Sequence, residues 1–177
     1  MSWILYIVVV ASALAIHEIG HWAQLLALNI AVDRVTLGIG PAIRVWSKVY
    51  VALFPLGASV TPDTQQWRAT TAYNRFMVAV AGPMASLITG AFMLGLAMIY
   101  PALMHSLEGF ALIHFAIGMG NLVPLPPLDG WVALVELCAI RNKAVNENIL
   151  RLASRLGSGM VYGLGFWYVG KLLVRLL

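Results

Sequence analysis

Charge is scarce in this chain. Lys, Arg, Asp and Glu make up 10% of its 177 residues and hydrophobic residues 61%, whereas ordinary soluble domains are about one quarter charged. That balance is the composition of a membrane protein. Cysteine is scarcer still: Cys138 stands alone, which excludes an intrachain disulfide framework and a multi-cysteine zinc site. The net charge of +4 is not gathered into a soluble segment rich in basic and aromatic residues, so nucleic acid is not an expected partner. Internal repeats, low-complexity tracts and soluble appendages are also missing.

What the chain has instead is long apolar runs. Residues 2–28, 76–100, 109–139 and 156–174 approach or exceed the roughly 20 residues needed to cross a bilayer. The expected fold is therefore an all-α polytopic membrane protein, one domain over residues 1–177 with about four transmembrane helices. The first run is not expected to be a cleaved signal peptide, because it lacks a basic start and is too long. Basic residues fall in two groups. Arg34, Arg44, Lys48, Arg68 and Arg75 follow the first run, and Arg141, Lys143, Arg151 and Arg155 follow the third. Pro101–Glu108, between the second and third runs, has none. By the positive-inside rule the two basic connections face the cytoplasm and both termini lie outside. Lys171 and Arg175 run against that orientation weakly, since long basic side chains snorkel.

Three stretches break the helical pattern. Residues 35–60 are rich in β-branched and aromatic residues and punctuated by Gly38, Gly40, Pro41, Pro55 and Gly57. Ala42–Trp46 and Val49–Phe54 could pair as a hairpin around Ser47-Lys48, and a loop lying on the bilayer fits the pattern equally well. Residues 141–156 carry Val145, Ile149, Leu152 and Leu156 at three- and four-residue steps, the spacing of an interfacial amphipathic helix. The third run holds Pro124, Pro126 and Pro127 shortly before Asp129-Gly130. Proline removes a backbone donor and clashes with the preceding turn, so this span should be broken. Non-helical backbone survives in a membrane only where protein covers it or a watery cavity meets it.

The chemistry begins at His17-Glu18-Ile19-Gly20-His21. These are the only charged or imidazole side chains from Met1 to Val32. HExxH on a helix sets two imidazoles one turn apart on one face, with a glutamate beside them as a base. Hydrolytic zinc takes three protein ligands and leaves a position for water. Candidates for the third are Asp129, Glu136 and His114; Asp33, Asp63, Glu108 and His105 lie nearer the ends or in connections. Asp129 fits best, because the broken helix frees it to point sideways and Gly130 leaves room beside it. Glu136 is expected to pair with Arg141 or reach the interface. His114 is expected to be a hydrogen-bonded span residue, and Gly159 and Gly163 a small-residue helix contact.

HEIGH in the first run together with Asn121-Leu-Val-Pro124-Leu-Pro126-Pro127-Leu-Asp129-Gly130 resembles the site-2 protease family of intramembrane zinc metalloproteases (peptidase family M50). Gly38-Ile-Gly40-Pro41, Phe54-Pro55-Leu56-Gly57 and Ala81-Gly82-Pro83 agree with it, and the resemblance extends over residues 14–131. It implies one zinc ion held by His17, His21 and Asp129, Glu18 as general base towards a zinc-activated water, and Asn121 holding substrate. It also implies a membrane-associated β-hairpin over 35–60 that takes up an unwound substrate strand. Clients would be transmembrane proteins such as anti-sigma factors, membrane-tethered transcription factors or signal-peptide remnants, cut in a bacterial inner membrane near its cytoplasmic side. Trp131, Ala58 and Ser86 stand where the family often has Gly, Gly and Asn. With no PDZ or CBS domain, the chain resembles a minimal form of the family. Other expectations are a non-proteolytic membrane metal-binding or transport protein, or a pseudoprotease that binds membrane helices; the intact Glu18 speaks against the latter.

Overall fold

The computed structural model describes residues 3–143 and 145–176. It is mostly helical, with one small sheet between the first helix and the rest. Helix α1 (Trp3–Ala27) ends at Asn29, whose positive φ of 57° lets the Ile30 N–H return to Leu25 O at 2.9 Å, a left-handed cap. Strands β1 (Val32–Trp46) and β2 (Val49–Pro62) follow, joined at Ser47-Lys48. A short helix α2 (Thr64–Ala69) leads to α3 (Ala72–Ile99). A 3₁₀ turn at Pro101–Leu103 leads to α4 (Met104–Asn121), and then come α5 (Asp129–Ile140) and α6 (Glu147–Leu176). Among the described residues, α3 and the stretch Pro101–Asn121 are long and apolar enough to cross a membrane.

The sheet is longer and more folded than a hairpin over 42–54. Val35, Thr36 and Leu37 stand opposite Val60, Ser59 and Ala58 on one side and opposite Val49, Tyr50 and Val51 on the other. Each ribbon doubles back, and Gly38 and Gly57, with φ of 97° and 86°, lie where they turn. The first part of β1 is thus central. The outer edge of Ala58–Thr61 has no strand partner among the described residues.

The sheet is pinned to the helices by a buried cluster of Leu25, Ile30, Val32 and Val78, against which Leu28, Val35, Val60 and Trp67 pack. Asp63 caps α2 by accepting from Gln66 N at 2.8 Å, and Gln66 Oε1 accepts from Ala31 N at 2.7 Å, tying α2 to the start of the sheet. Thr71 caps α3. Glycines let the helices approach closely. A Cβ on Gly20 would stand 2.6 Å from Ala81 O, and one on Gly118 would stand 2.9 Å from Leu87 Cγ.

Some boundaries differ from the sequence expectation. The connection 101–108 is almost wholly helical, because α4 begins at Met104. The break between α4 and α5 spans Leu122–Leu128, where the prolines lie. A separate amphipathic helix over 141–156 and a span over 156–174 are instead one helix, α6, from Glu147. No proline follows Pro127, and Gly157 by itself does not stop a helix. A Cβ on Gly157 would stand 2.8 Å from Pro126 O, but one on Gly159 or Gly163 would meet nothing within 4 Å among the described residues. The expected small-residue packing thus falls at Gly157.

Candidate metal centre

Three helices bring their polar groups to one point. His17 and His21 project from α1 one turn apart, their ring centroids 5.0 Å from each other. Asp129 is the first residue of α5, placed there by the proline-rich break. Its Oδ2 lies 2.9 Å from His17 Nε2 and 3.3 Å from His21 Nε2, and the two Nε2 atoms are 3.3 Å apart. Both histidines are buried and Asp129 is half-buried.

The other ring nitrogens are occupied by α3. His21 Nδ1 donates to Val78 O at 2.7 Å, and His17 Nδ1 meets Ser86 Oγ at 3.1 Å. A carbonyl only accepts, so the His21 proton sits on Nδ1 and its Nε2 presents a lone pair. Pro83, inside α3, cannot donate to Ala79 O one turn back, so the ladder is interrupted beside Val78. Gly82 makes the space. A Cβ there would lie 2.2 Å from His21 Nε2.

The His21 lone pair, the His17 Nε2 and a carboxylate oxygen thus converge on one point, an arrangement that suits a bound cation. A tetrahedral ion with bonds of about 2.0–2.1 Å separates adjacent ligand atoms by about 3.3 Å. The triangle of 2.9, 3.3 and 3.3 Å fits that edge. Two imidazoles and one carboxylate, with outer partners fixing the rings, are a donor set suited to hydrolytic zinc.

The triangle opens on a cavity of about 580 Å³. Glu18 and Asn121 line it with His17, His21 and Asp129, and Gly57–Pro62 of β2 form its opposite wall. Asn121 Nδ2 donates to Ile117 O at 3.0 Å, which leaves its carbonyl oxygen free to accept. All five residues singled out from the sequence therefore border one space.

The other candidates go elsewhere. Asp63 caps α2. Glu136 pairs with Arg75 of α3 rather than Arg141, because α5 lays its face along α3 while Arg141 falls at the exposed end of α5. His114 is buried, and its Nδ1 has no hydrogen-bond partner among the described residues, where a bonded span residue was expected. Gly130 does not make space beside Asp129. A Cβ on it would lie 2.2 Å from Leu122 O, so it lets the start of α5 rest on the broken strand of chain. Val78, Gly82, Ser86 and Arg75 have no motif of their own that names these roles. The faint signals were Gly82-Pro83 and the serine at 86.

A family model described as Peptidase family M50 matches residues 5–107. A protein of Synechocystis sp. whose name provisionally makes it a zinc metalloprotease is 28% identical over 163 residues, which is 89% of this chain and 38% of that protein. The chain thus spans about two fifths of that relative's length. Among solved structures, the site-2 protease from Methanocaldococcus jannaschii is similar in fold, with a TM-score of 0.57 at 18% identity, over 96% of this chain and 71% of that one.

Proposed function

The chain belongs to peptidase family M50, and on that premise we propose that it is an integral-membrane zinc endopeptidase of the site-2 type. It hydrolyses peptide bonds in or near the transmembrane segments of other membrane proteins. The observation that carries this reading is the His17–His21–Asp129 triangle opening on a cavity that Glu18 shares.

Zinc in the triangle would act as a Lewis acid and lower the pKa of a water towards neutrality. The chain's own residues do the rest. His17, His21 and Asp129 hold the ion, with Ser86 and Val78 keeping the rings turned. Glu18 is the general base that takes the water's proton and returns it to the leaving amide nitrogen. A helical substrate hides its scissile carbonyl in hydrogen bonds and must unwind first. The unpartnered edge of Ala58–Thr61 offers backbone groups to the unwound strand, a β-augmentation, and Asn121 accepts one of its amides. The grouping of basic residues in Arg34–Arg75 and Arg141–Arg155 supports a multi-pass reading with this end of the molecule towards the cytoplasm.

The test is to reconstitute the chain with model transmembrane substrates, compare wild type with Glu18→Gln, and measure bound zinc. The reading expects zinc in both and cleavage in wild type alone. Equal cleavage by both forms sinks the catalytic role of Glu18. Zinc bound by wild type without cleavage of any substrate moves the protein to metal binding or transport.

A further inference from the structure

The ion pair between Arg75 and Glu136 belongs to neither the metal triangle nor the cavity. Arg75 Nε donates to Glu136 Oε1 at 2.8 Å and Nη2 donates to Oε2 at 2.9 Å. The remaining nitrogen, Nη1, donates to Thr70 O just before α3 begins. The fork is bidentate, and its side chains are mostly buried, 22% and 13% exposed. Such a pair is a directional link, because guanidinium and carboxylate must meet in one plane.

Its place in the two helices gives it a role. On α5, Glu136 lies seven residues beyond Asp129, nearly two whole turns, so both stand on one stripe about 10 Å apart along the axis. On α3, Gly82 and Ser86 lie seven and eleven residues beyond Arg75, again close to whole turns. One stripe of α3 therefore carries the clamp on α5, the gap that admits the His21 ring and the hydroxyl that meets His17. We propose that Arg75 and Glu136 are positioning residues for the metal centre: their fork sets the register of α5 along α3 and so holds the Asp129 oxygen over the two histidines. This rests on reading the triangle as a metal site. Sliding α5 by a single residue would move Asp129 about 1.5 Å, whereas a ligand atom has a latitude of about 0.2 Å. The contact of Gly130 with Leu122 ties α5 to the end of α4; the fork ties it to the helix that orients both histidines.

The full chain is purified in nanodiscs as wild type, Arg75→Lys, Glu136→Gln and the exchanged pair Arg75→Glu with Glu136→Arg. Each is measured for zinc release to a chelator, for the visible spectrum with Co²⁺ in place of zinc, and for melting temperature. The single variants should release zinc about tenfold faster and show an altered Co²⁺ spectrum in the folded protein. The exchanged pair should recover part of both. Arg75→Lys keeps the charge while losing the fork, so it stays informative if Glu136→Gln fails to fold. Glu147→Gln, in the exposed pair with Arg151, should change neither readout. A lower melting temperature with unchanged zinc release and an unchanged spectrum makes the pair merely structural and overturns the proposal. A wild type that holds no metal overturns the metal reading, and this proposal with it.

Discussion

The two walls of the cavity are built on opposite terms. On the helical side, His17, His21 and Asp129 each meet a named partner, Ser86 and Pro83 are fully buried, and glycines bring backbone within van der Waals reach of side chains. On the sheet side, Ser59 and Thr61 are exposed, and the outer edge of Ala58–Thr61 has no strand partner among the described residues. The difference follows from what each wall has to do. A metal centre needs ligand atoms fixed to tenths of an ångström, which only close packing between rigid elements delivers. A wall proposed to receive an extended peptide needs free backbone groups instead.

Four changes test that division, in falling order of effect. Glu18→Gln should lower substrate cleavage by about 10³-fold or more with zinc content unchanged, seen by product formation beside metal analysis. Asp129→Ala should empty the site, since two imidazoles alone hold zinc weakly. Near-stoichiometric zinc in that variant would remove Asp129 from the ligand set. Gly82→Ala puts a carbon where the His21 ring lies, and should weaken zinc binding by about 100-fold; unchanged affinity would mean that α1 and α3 are not rigidly packed. A proline scan across Ala58–Thr61 should act on the other wall. Positions whose N–H faces the cavity should lose cleavage about tenfold, roughly the net value of one backbone hydrogen bond, through a raised KM. Zinc retention should stay at the wild-type level in those variants, and a loss of zinc from them would show the two walls to be coupled.

Much of the site was legible along the chain, for a physical reason. Ionisable groups are so costly in an apolar run that HEIGH stands out there without a structure. Three prolines before Asp129 mark a broken helix just as openly. Glu136 was legible as an intramembrane acid, but its partner was not. Arg141 is five residues away in sequence and falls at the exposed end of α5, whereas Arg75 is 61 residues away and pairs with it across two helices. The sheet was visible only as punctuation. Its β-branched residues and glycines announce extended chain, but the register that puts the first part of β1 in the middle depends on contacts fourteen and more residues apart. The helix expected over 141–156 and the span after it merged, because periodicity reports a face and does not mark where a helix ends.

The candidate ligands, the candidate base and the place where the chain must leave the helix could be read from the sequence, since these follow from local spacing and from the cost of burying charge. Packing alone brought Val78 and Ser86 against the two rings, left at Gly82 the space one of them fills, and paired Arg75 with Glu136 on the helix that carries Asp129. Those are contacts between surfaces of different helices. Which surfaces meet, and at what height, is fixed by packing the whole chain at once.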